Sequence, residues 1–250
     1  MKVIGIIPAR YASTRFPGKP LCLIGDRTMI RRVYDQAMKC SILDKVCVAT
    51  DDQRIFEHVA GFGKAIMTGD YHQSGTDRCL EAVNILSEEL PLSESDVVIN
   101  IQGDEPFIQP NQIETLAGLF NLPETEIGTL AKKMLPGDDL ANENIVKVVF
   151  DNQSIALYFS RWALPFTRGK PFSSWLNEHP YYQHLGMYGY RLEVLKKIAV
   201  LSQSSLEKAE SLEQLRWLQN GYKIRVGITS HYSIGIDTPG DLKNIPSDLL

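Results

Sequence analysis

The feature that most constrains this 250-residue chain is a series of short apolar runs set between helical patterns in its first half. Val3-Ile-Gly-Ile-Ile7, Val46-Cys-Val-Ala49, Ala65-Ile-Met67 and Val97-Val-Ile-Asn-Ile101 carry apolar residues with little alternation. A strand with one wet face alternates apolar and polar residues. Runs like these are buried on both faces, as in a parallel sheet layered between helices. Helical spacing fills the gaps. Thr28 to Lys39 places Met29, Val33 and Ala37 together. A second helix opens at Asp51-Asp52 and stops near Ala60, before Gly61 and Gly63. A third runs from Thr76 to Leu90 with Leu80, Val83 and Leu86 on one face. This β-α-β-α rhythm predicts an α/β fold with a mostly parallel sheet and helices on both faces.

The second half is less regular. Asn144 to Phe150, Tyr182 to Arg191 and Lys223 to Ile228 read as strands, and Leu206 to Gln219 as one helix. A final helix is expected at Thr238-Pro239, with Thr at the cap, Pro first and Asp241 three residues on. Ten of the 22 aromatic residues fall between Tyr158 and Tyr190. They mark either a loop-rich lobe packed by its own rings, or a sugar site or subunit contact. No repeat, low-complexity tract or linker divides the chain.

Charge narrows the partners. With 26 Lys and Arg against 30 Asp and Glu, the formal net charge is -4. No global positive field draws the chain to nucleic acid or to an anionic membrane, so an anionic substrate needs a local cluster of cations. Cys22, Cys40, Cys47 and Cys79 form no CxxC pair and have no histidine at zinc-ligand spacing; they read as reduced thiols in or near the core. Arg10 interrupts the N-terminal apolar run too early for a signal peptide, and no segment approaches the roughly 20 apolar residues of a membrane span. A cytoplasmic location is expected.

Four segments carry chemistry. Ile7-Pro-Ala-Arg-Tyr-Ala-Ser-Thr-Arg-Phe-Pro-Gly-Lys-Pro20 follows the first strand, where open α/β sheets bind ligands. It offers Arg10, Arg15 and Lys19 with small residues between them, which suits a triphosphate. GxxxxGK[ST] occurs nowhere, which argues against a P-loop NTPase. Gln73-Ser-Gly-Thr-Asp-Arg78 gives Ser74 and Thr76 as caps, Gly75 for close approach to a flat ligand, and Arg78 as a donor to cytosine. By itself that segment reads better as an ordinary helix start with an exposed Arg. Asn100-Ile-Gln-Gly-Asp-Glu-Pro106 ends a buried strand in two carboxylates, of which Asp104 suits Mg²⁺. In Ile236-Asp-Thr-Pro-Gly-Asp-Leu242, Asp237 precedes the cap and is a candidate second metal ligand.

Two weaker patterns lie in the second half. Strand alternation puts His184, Gly186 and Tyr188 on one face, either for a polyhydroxylated ligand or as a partly buried His and Tyr with local partners. In Glu207-Lys-Ala-Glu-Ser-Leu-Glu213 acidic residues recur at i, i+3 and i+6, the usual look of a solvated helix face.

Taken together, the stretches IPARYASTRFPGKPL, VATDDQRI, HQSGTDR, NIQGDEP, ALYFSR, HLGMYGYR, ESLEQLR and GIDTPGDL resemble the 3-deoxy-manno-octulosonate (Kdo) cytidylyltransferase family. They span residues 7 to 242. The resemblance implies a Rossmann-like, nucleotide-diphospho-sugar transferase-like fold with a smaller sugar-binding and dimerisation lobe. It implies one nucleotidyltransferase domain over 1–250, with a nucleotide-binding half to about residue 130 and a sugar-acid and dimerisation half from about 131. It implies CTP and Kdo as substrates, Mg²⁺ as cofactor, and a homodimer serving lipopolysaccharide assembly. Arg10, Arg15 and Lys19, with the backbone at Pro8 and Ala9, would hold the triphosphate. Ser74, Gly75, Thr76, Arg78, Gln102 and Gly103 would frame the cytidine. Asp104 and Asp237 would bind Mg²⁺, and Arg161, His184, Tyr188 and Glu213 would hold the sugar acid. Residues 167–181 match no motif of the family. The same chemistry on an 8-amino Kdo analogue or a sialic acid, and a non-catalytic nucleotide-binding regulator, are the rival readings.

Overall fold

The apolar runs do form strands. In the computed structural model, which describes residues 1–12, 16–231, 235–246 and 249, the strands in chain order are β1 (Val3–Ala9), β2 (Leu23–Ile24), β3 (Arg27–Thr28), β4 (Lys45–Thr50), β5 (Lys64–Met67), β6 (Val97–Asn100), β7 (Ile127–Lys133), β8 (Lys147–Phe150), β9 (Ala156–Ser160), β10 (Tyr182–Arg191) and β11 (Ile224–Ile228). The helices are α1 (Met29–Met38), α2 (Gln53–Ala60), α3 (Gly75–Leu86), α4 (Pro110–Gly118), α5 (Trp175–Glu178), α6 (Leu192–Ile198), α7 (Ser205–Glu210) and α8 (Gln214–Gln219).

Nine strands share one mixed sheet in the order β11-β7-β10-β6-β1-β4-β5, with β8 and β9 branching from β10. The β6-β1-β4-β5 ladders are parallel, and β10 runs antiparallel to both β6 and β7. One sheet thus passes through both halves of the chain, and residue 130 lies within β7.

Period-2 side-chain placement divides the core. Ile4 and Ile6 of β1 pack with Cys79, Ala82 and Val83 of α3, Leu195 of α6 and Trp217 of α8. Val3, Ile7 and Ala9 face the other way, onto Val33 of α1, Ile55 of α2 and Leu116 of α4. Cys40, Cys47 and Cys79 are buried core residues and Cys22 is half-buried.

Several expectations need correction. The helix expected from Leu206 to Gln219 is two short helices, α7 and α8, because Ser211 adopts a left-handed conformation at φ 53° and ends the first. The acidic stripe is therefore not one solvated face. Glu207 is buried against Arg216, Glu210 accepts from Ser160 Oγ at 2.6 Å, and Glu213 turns inward to Thr76. The expected C-terminal helix is a four-residue 3₁₀ turn, Asp241–Asn244. Thr238 does not cap it; instead the Asp241 carboxylate accepts from the backbone N–H groups of Asp237 and Thr238 at 2.9 and 2.8 Å. The third helix ends at Leu86, four residues before the expected Leu90.

Candidate active site

Parallel strands end together, so the loops after β1 and β6 open side by side. A cavity of about 600 Å³ lies at their mouth, bounded also by the start of α3, by β10 and by the turn between α7 and α8. Pro8, Ala9, Arg10, Lys19, Ser74, Gly75, Thr76, Arg78, Gln102, Gly103, Asp104, Tyr188, Glu213 and Asp237 all line it. Arg161 and His184 do not, and Arg15 lies outside the described residues.

The first loop is held by its own backbone. Gly18 sits at φ 72° and donates its N–H to the Tyr11 carbonyl at 3.0 Å, a conformation that a side chain would strain. Lys19 follows at the start of a 3₁₀ turn and points into the cavity with 13% of its side chain exposed. Its Nζ donates to Asp104 Oδ2 at 2.9 Å and to Asp237 Oδ1 at 3.2 Å. Asp104 and Asp237, 85 and 218 positions from Lys19 in sequence, thus meet at its ammonium group.

The two carboxylates are fixed from behind. The Ile236 N–H donates to the Asp104 carbonyl at 2.9 Å, and Ile236 is fully buried with Ile24, Met29 and Phe107. Gly103 permits the β1 and β6 loops to touch: a Cβ there would stand 2.6 Å from the Pro8 carbonyl oxygen. Gln102 reaches across to β10, donating Nε2 to the Gly186 carbonyl at 2.8 Å.

At α3, Ser74 is the cap. It forms a reciprocal capping box with Asp77, so Thr76 is not needed for capping. Thr76 Oγ1 instead donates to Glu213 Oε2 at 3.0 Å. Arg78 is no exposed arm. It is 1% exposed, donates to Thr68 Oγ1 at 2.6 Å and pairs with Asp51 Oδ2 at 2.8 Å, while lining the cavity. The VATDDQRI stretch thus supports the SGTDR stretch through Asp51.

On the far wall, burial pushes the Glu213 carboxyl above its ordinary value. Hydrogen bonds from Ser74 and Thr76 and the charge of Arg216 oppose that shift. Tyr188 is buried beside it, and burial raises its phenol well above the usual range. The simple alternation expected for β10 is interrupted: the register against β7 shifts between Leu185 and Tyr188. His184 is packed between rings, 4.9 Å from Phe159 and 5.4 Å from Tyr188, and shares a 2.9 Å hydrogen bond with Thr129 Oγ1. Burial holds its imidazole down at about 3, so it stays neutral. Arg161 donates to the carbonyls of Glu210 at 2.7 Å, Glu143 at 3.0 Å and Ser211 at 3.3 Å, outside the cavity wall.

Asn100 and Gln214 also line the cavity and were not singled out from sequence. Asn100 ends β6, is 5% exposed, and leaves Oδ1 without a partner among the described residues. A buried polar atom without a partner at a cavity-lining residue is unusual and marks Asn100 as a candidate site residue. Its one signal in the sequence is a polar residue inside an apolar run.

Known proteins share this sequence and fold. The cytidylyltransferase family profile matches residues 4–224. The chain is 54% identical over 248 residues to the 3-deoxy-manno-octulosonate cytidylyltransferase of Parabacteroides distasonis, covering 97% of this chain and 96% of that protein. It is 51% identical over 245 residues to the enzyme of that name from Thermodesulfovibrio yellowstonii, covering 97% and 96%. A solved CMP:2-keto-3-deoxy-manno-octonic acid synthetase complexed with CTP superposes with a TM-score of 0.87 at 40% identity, covering 98% of this chain and 96% of that one. A 4-diphosphocytidyl-2C-methyl-D-erythritol synthase, 16% identical with a TM-score of 0.64 and covering 98% and 97%, shares the fold alone. The chain belongs to the 3-deoxy-manno-octulosonate cytidylyltransferase family.

Proposed function

We propose that this protein transfers CMP from CTP to Kdo, giving CMP-Kdo and pyrophosphate for lipopolysaccharide assembly. The observation that carries this reading is the Lys19 ammonium bridging Asp104 and Asp237 in a cavity whose opposite wall presents Glu213 and Tyr188. One side of that cavity has cations and backbone for a triphosphate, and the other has acceptors and donors for a polyhydroxylated acid.

The anomeric hydroxyl of Kdo attacks the α-phosphorus of CTP. The bond from that phosphorus to the bridging oxygen breaks, pyrophosphate leaves, and the hydroxyl proton is released. Both substrates are anions, so the first task of the chain is to offset charge. Arg10 and Lys19 serve the phosphates, with Arg15 assigned there by resemblance. Ser74, Gly75, Thr76, Arg78, Gln102 and Gly103 frame the cytidine, and Tyr188 and Glu213 orient the sugar. Positioning supplies most of the rate, because phosphoryl transfer leaves the protein little covalent work. Arg161 and His184 act from outside the wall: Arg161 ties β9 to the α7–α8 turn, and His184 backs Tyr188.

The donor set suits Mg²⁺. Two carboxylates converge on one cationic nitrogen, and among the described residues no group of three or more His, Cys, Asp or Glu could hold an ion alone. Mg²⁺ takes one or two carboxylates and completes its shell with phosphate oxygens and water. Held by Asp104 and Asp237, it would neutralise phosphate charge and polarise the reacting hydroxyl.

The dimer expected from the family is supported by apolar side chains left in solvent around β9 and the loop after it: Leu157, Trp162 and Phe166 are 62%, 65% and 73% exposed. A cytoplasmic place is consistent with the absence, among the described residues, of any helix long and apolar enough to cross a membrane.

Pyrophosphate release tests the reading. Each of CTP, UTP, ATP and GTP is offered with Kdo, its 8-amino analogue and a sialic acid. CTP with Kdo should turn over and the purine nucleotides should not. Equal turnover with ATP or GTP contradicts the assignment.

A further inference from the structure

α7 and α8 have six residues each, too short to hold a helical form or a mutual angle unaided. Between them the chain turns at Ser211 in a left-handed conformation, and Glu213 sits at the start of α8. The direction of the Glu213 carboxylate therefore depends on how the two helices are locked together.

Gln219 of α8 bonds the Ser205 hydroxyl and the Leu206 N–H at the exposed edge of α7, and in the interior one buried ion pair joins the two helices. Arg216, one turn after Glu213, reaches back across the break to α7. Its Nε donates to Glu207 Oε2 at 2.7 Å and its Nη2 to Glu207 Oε1 at 2.6 Å, a two-pronged contact. The side chains are only 12% and 7% exposed. The third prong, Nη1, donates to the Leu201 carbonyl at 3.1 Å, ahead of α7. Glu207 in turn accepts from the Ser204 N–H at 3.2 Å, so the same carboxylate caps α7 and clamps α8. The Arg216 N–H donates to the Glu213 carbonyl at 2.9 Å, tying the clamp to the residue that faces the cavity.

We propose that Glu207 and Arg216 are positioning residues whose paired side chains aim Glu213 at the sugar acid. This rests on the reading of Glu213 as a sugar ligand. A buried pair of this kind need not add net stability over apolar residues of the same shape, yet removing one partner leaves a buried charge uncompensated and the geometry unspecified. Its value here lies in direction. The pair fixes the α7–α8 angle, that angle fixes Glu213 against Thr76 Oγ1, and Glu213 then meets the sugar without rearrangement. Neither residue touches substrate.

The test is a kinetic cycle on the full-length enzyme. Glu207→Gln, Arg216→Lys, Glu213→Gln and the double variant Glu207→Gln/Glu213→Gln are assayed for KM toward Kdo and toward CTP, with melting followed alongside. Arg216→Lys keeps the charge and loses the fork, so it serves if Glu207→Gln does not fold. Each single variant should raise the KM for Kdo about tenfold, the scale expected when a contact is misplaced by a fraction of an ångström to an ångström, and leave the KM for CTP within about twofold. The double variant should be no worse than Glu213→Gln alone, because the pair acts through that residue. If Glu213→Gln raises the KM for Kdo while Glu207→Gln and Arg216→Lys do not, the positioning role is overturned and the sugar-ligand reading stands. If the pair variants raise both KM values equally, or if their losses add to that of Glu213→Gln, the pair is a stability element and the proposal fails. A silent Glu213→Gln overturns the sugar-ligand reading, and the proposal with it.

Discussion

The two walls of the cavity are built by different means. The wall made by β1, β6 and α3 stands on parallel strands whose ends are fixed by the sheet ladder; Ile6 lies opposite Asn100 and Ile7 opposite Val48. Each functional side chain there follows within a few residues of a strand end or a helix cap. The wall made by β10 and the α7–α8 turn stands on irregularities: a register shift between Leu185 and Tyr188, and a helix broken at Ser211. Its side chains are aimed by long-range contacts, such as Gln102 with the Gly186 carbonyl and Arg216 with Glu207. A nucleotide triphosphate is common to many enzymes and can be met by a generic strand-end site. A particular sugar acid needs directed side chains, and in the proposed reading the irregular wall supplies them.

If that contrast is right, the largest losses come from the shared point where both walls meet the reacting phosphate. Asp104→Asn and Asp237→Asn should each reduce turnover by on the order of 10²-fold or more while moving the melting temperature little. Pyrophosphate release across a Mg²⁺ titration measures this. Near-normal turnover at limiting Mg²⁺ would show that carboxylate to be structural only.

The next effect separates the walls by packing. Gly103→Ala drives a Cβ to 2.6 Å from the Pro8 carbonyl, backbone against backbone, where neither side can yield cheaply. It should cost about 1–3 kcal/mol of stability and weaken CTP use. Gly186→Ala meets nothing within 4 Å. Its stability should stay within about 0.5 kcal/mol, and any kinetic change should fall on Kdo. Urea unfolding and KM values for both substrates report the difference. Equal destabilisation by the two changes would erase the packing contrast between the walls.

The same contrast explains what could be read from the sequence. β1, β4, β5, β6, β10 and β11 were visible because apolar runs or alternation mark them locally. Asp104 was visible because it follows such a run directly, Lys19 because it belongs to the cation-bearing loop after the first run, and Ser74 as one of two cap candidates at the start of α3. β7, β9 and α4 were not, since their burial depends on neighbours distant in the chain. The acidic stretch at 207–213 misled for the same reason. Its period suits a wet helix face, and only Arg216, Ser160 and Thr76, brought in by the fold, turn its three carboxylates inward. Arg161 came from the family resemblance alone and His184 from strand alternation that the resemblance then weighted, and the fold places both behind the wall. Asn100 was passed over because a single amide in an apolar run looks like a strand residue until the cavity beside it is seen.

The most direct test of this division between walls is a calorimetric titration of CTP, without Kdo, into the wild-type protein, Arg10→Gln and Glu213→Gln. Arg10 is an exposed cation of the loop proposed to hold the phosphates, and its loss should weaken CTP binding by roughly tenfold or more. Glu213→Gln keeps an acceptor for Thr76 and should bind CTP as the wild type does. If Glu213→Gln loses as much CTP affinity as Arg10→Gln, the two walls are one site and the division proposed here is contradicted.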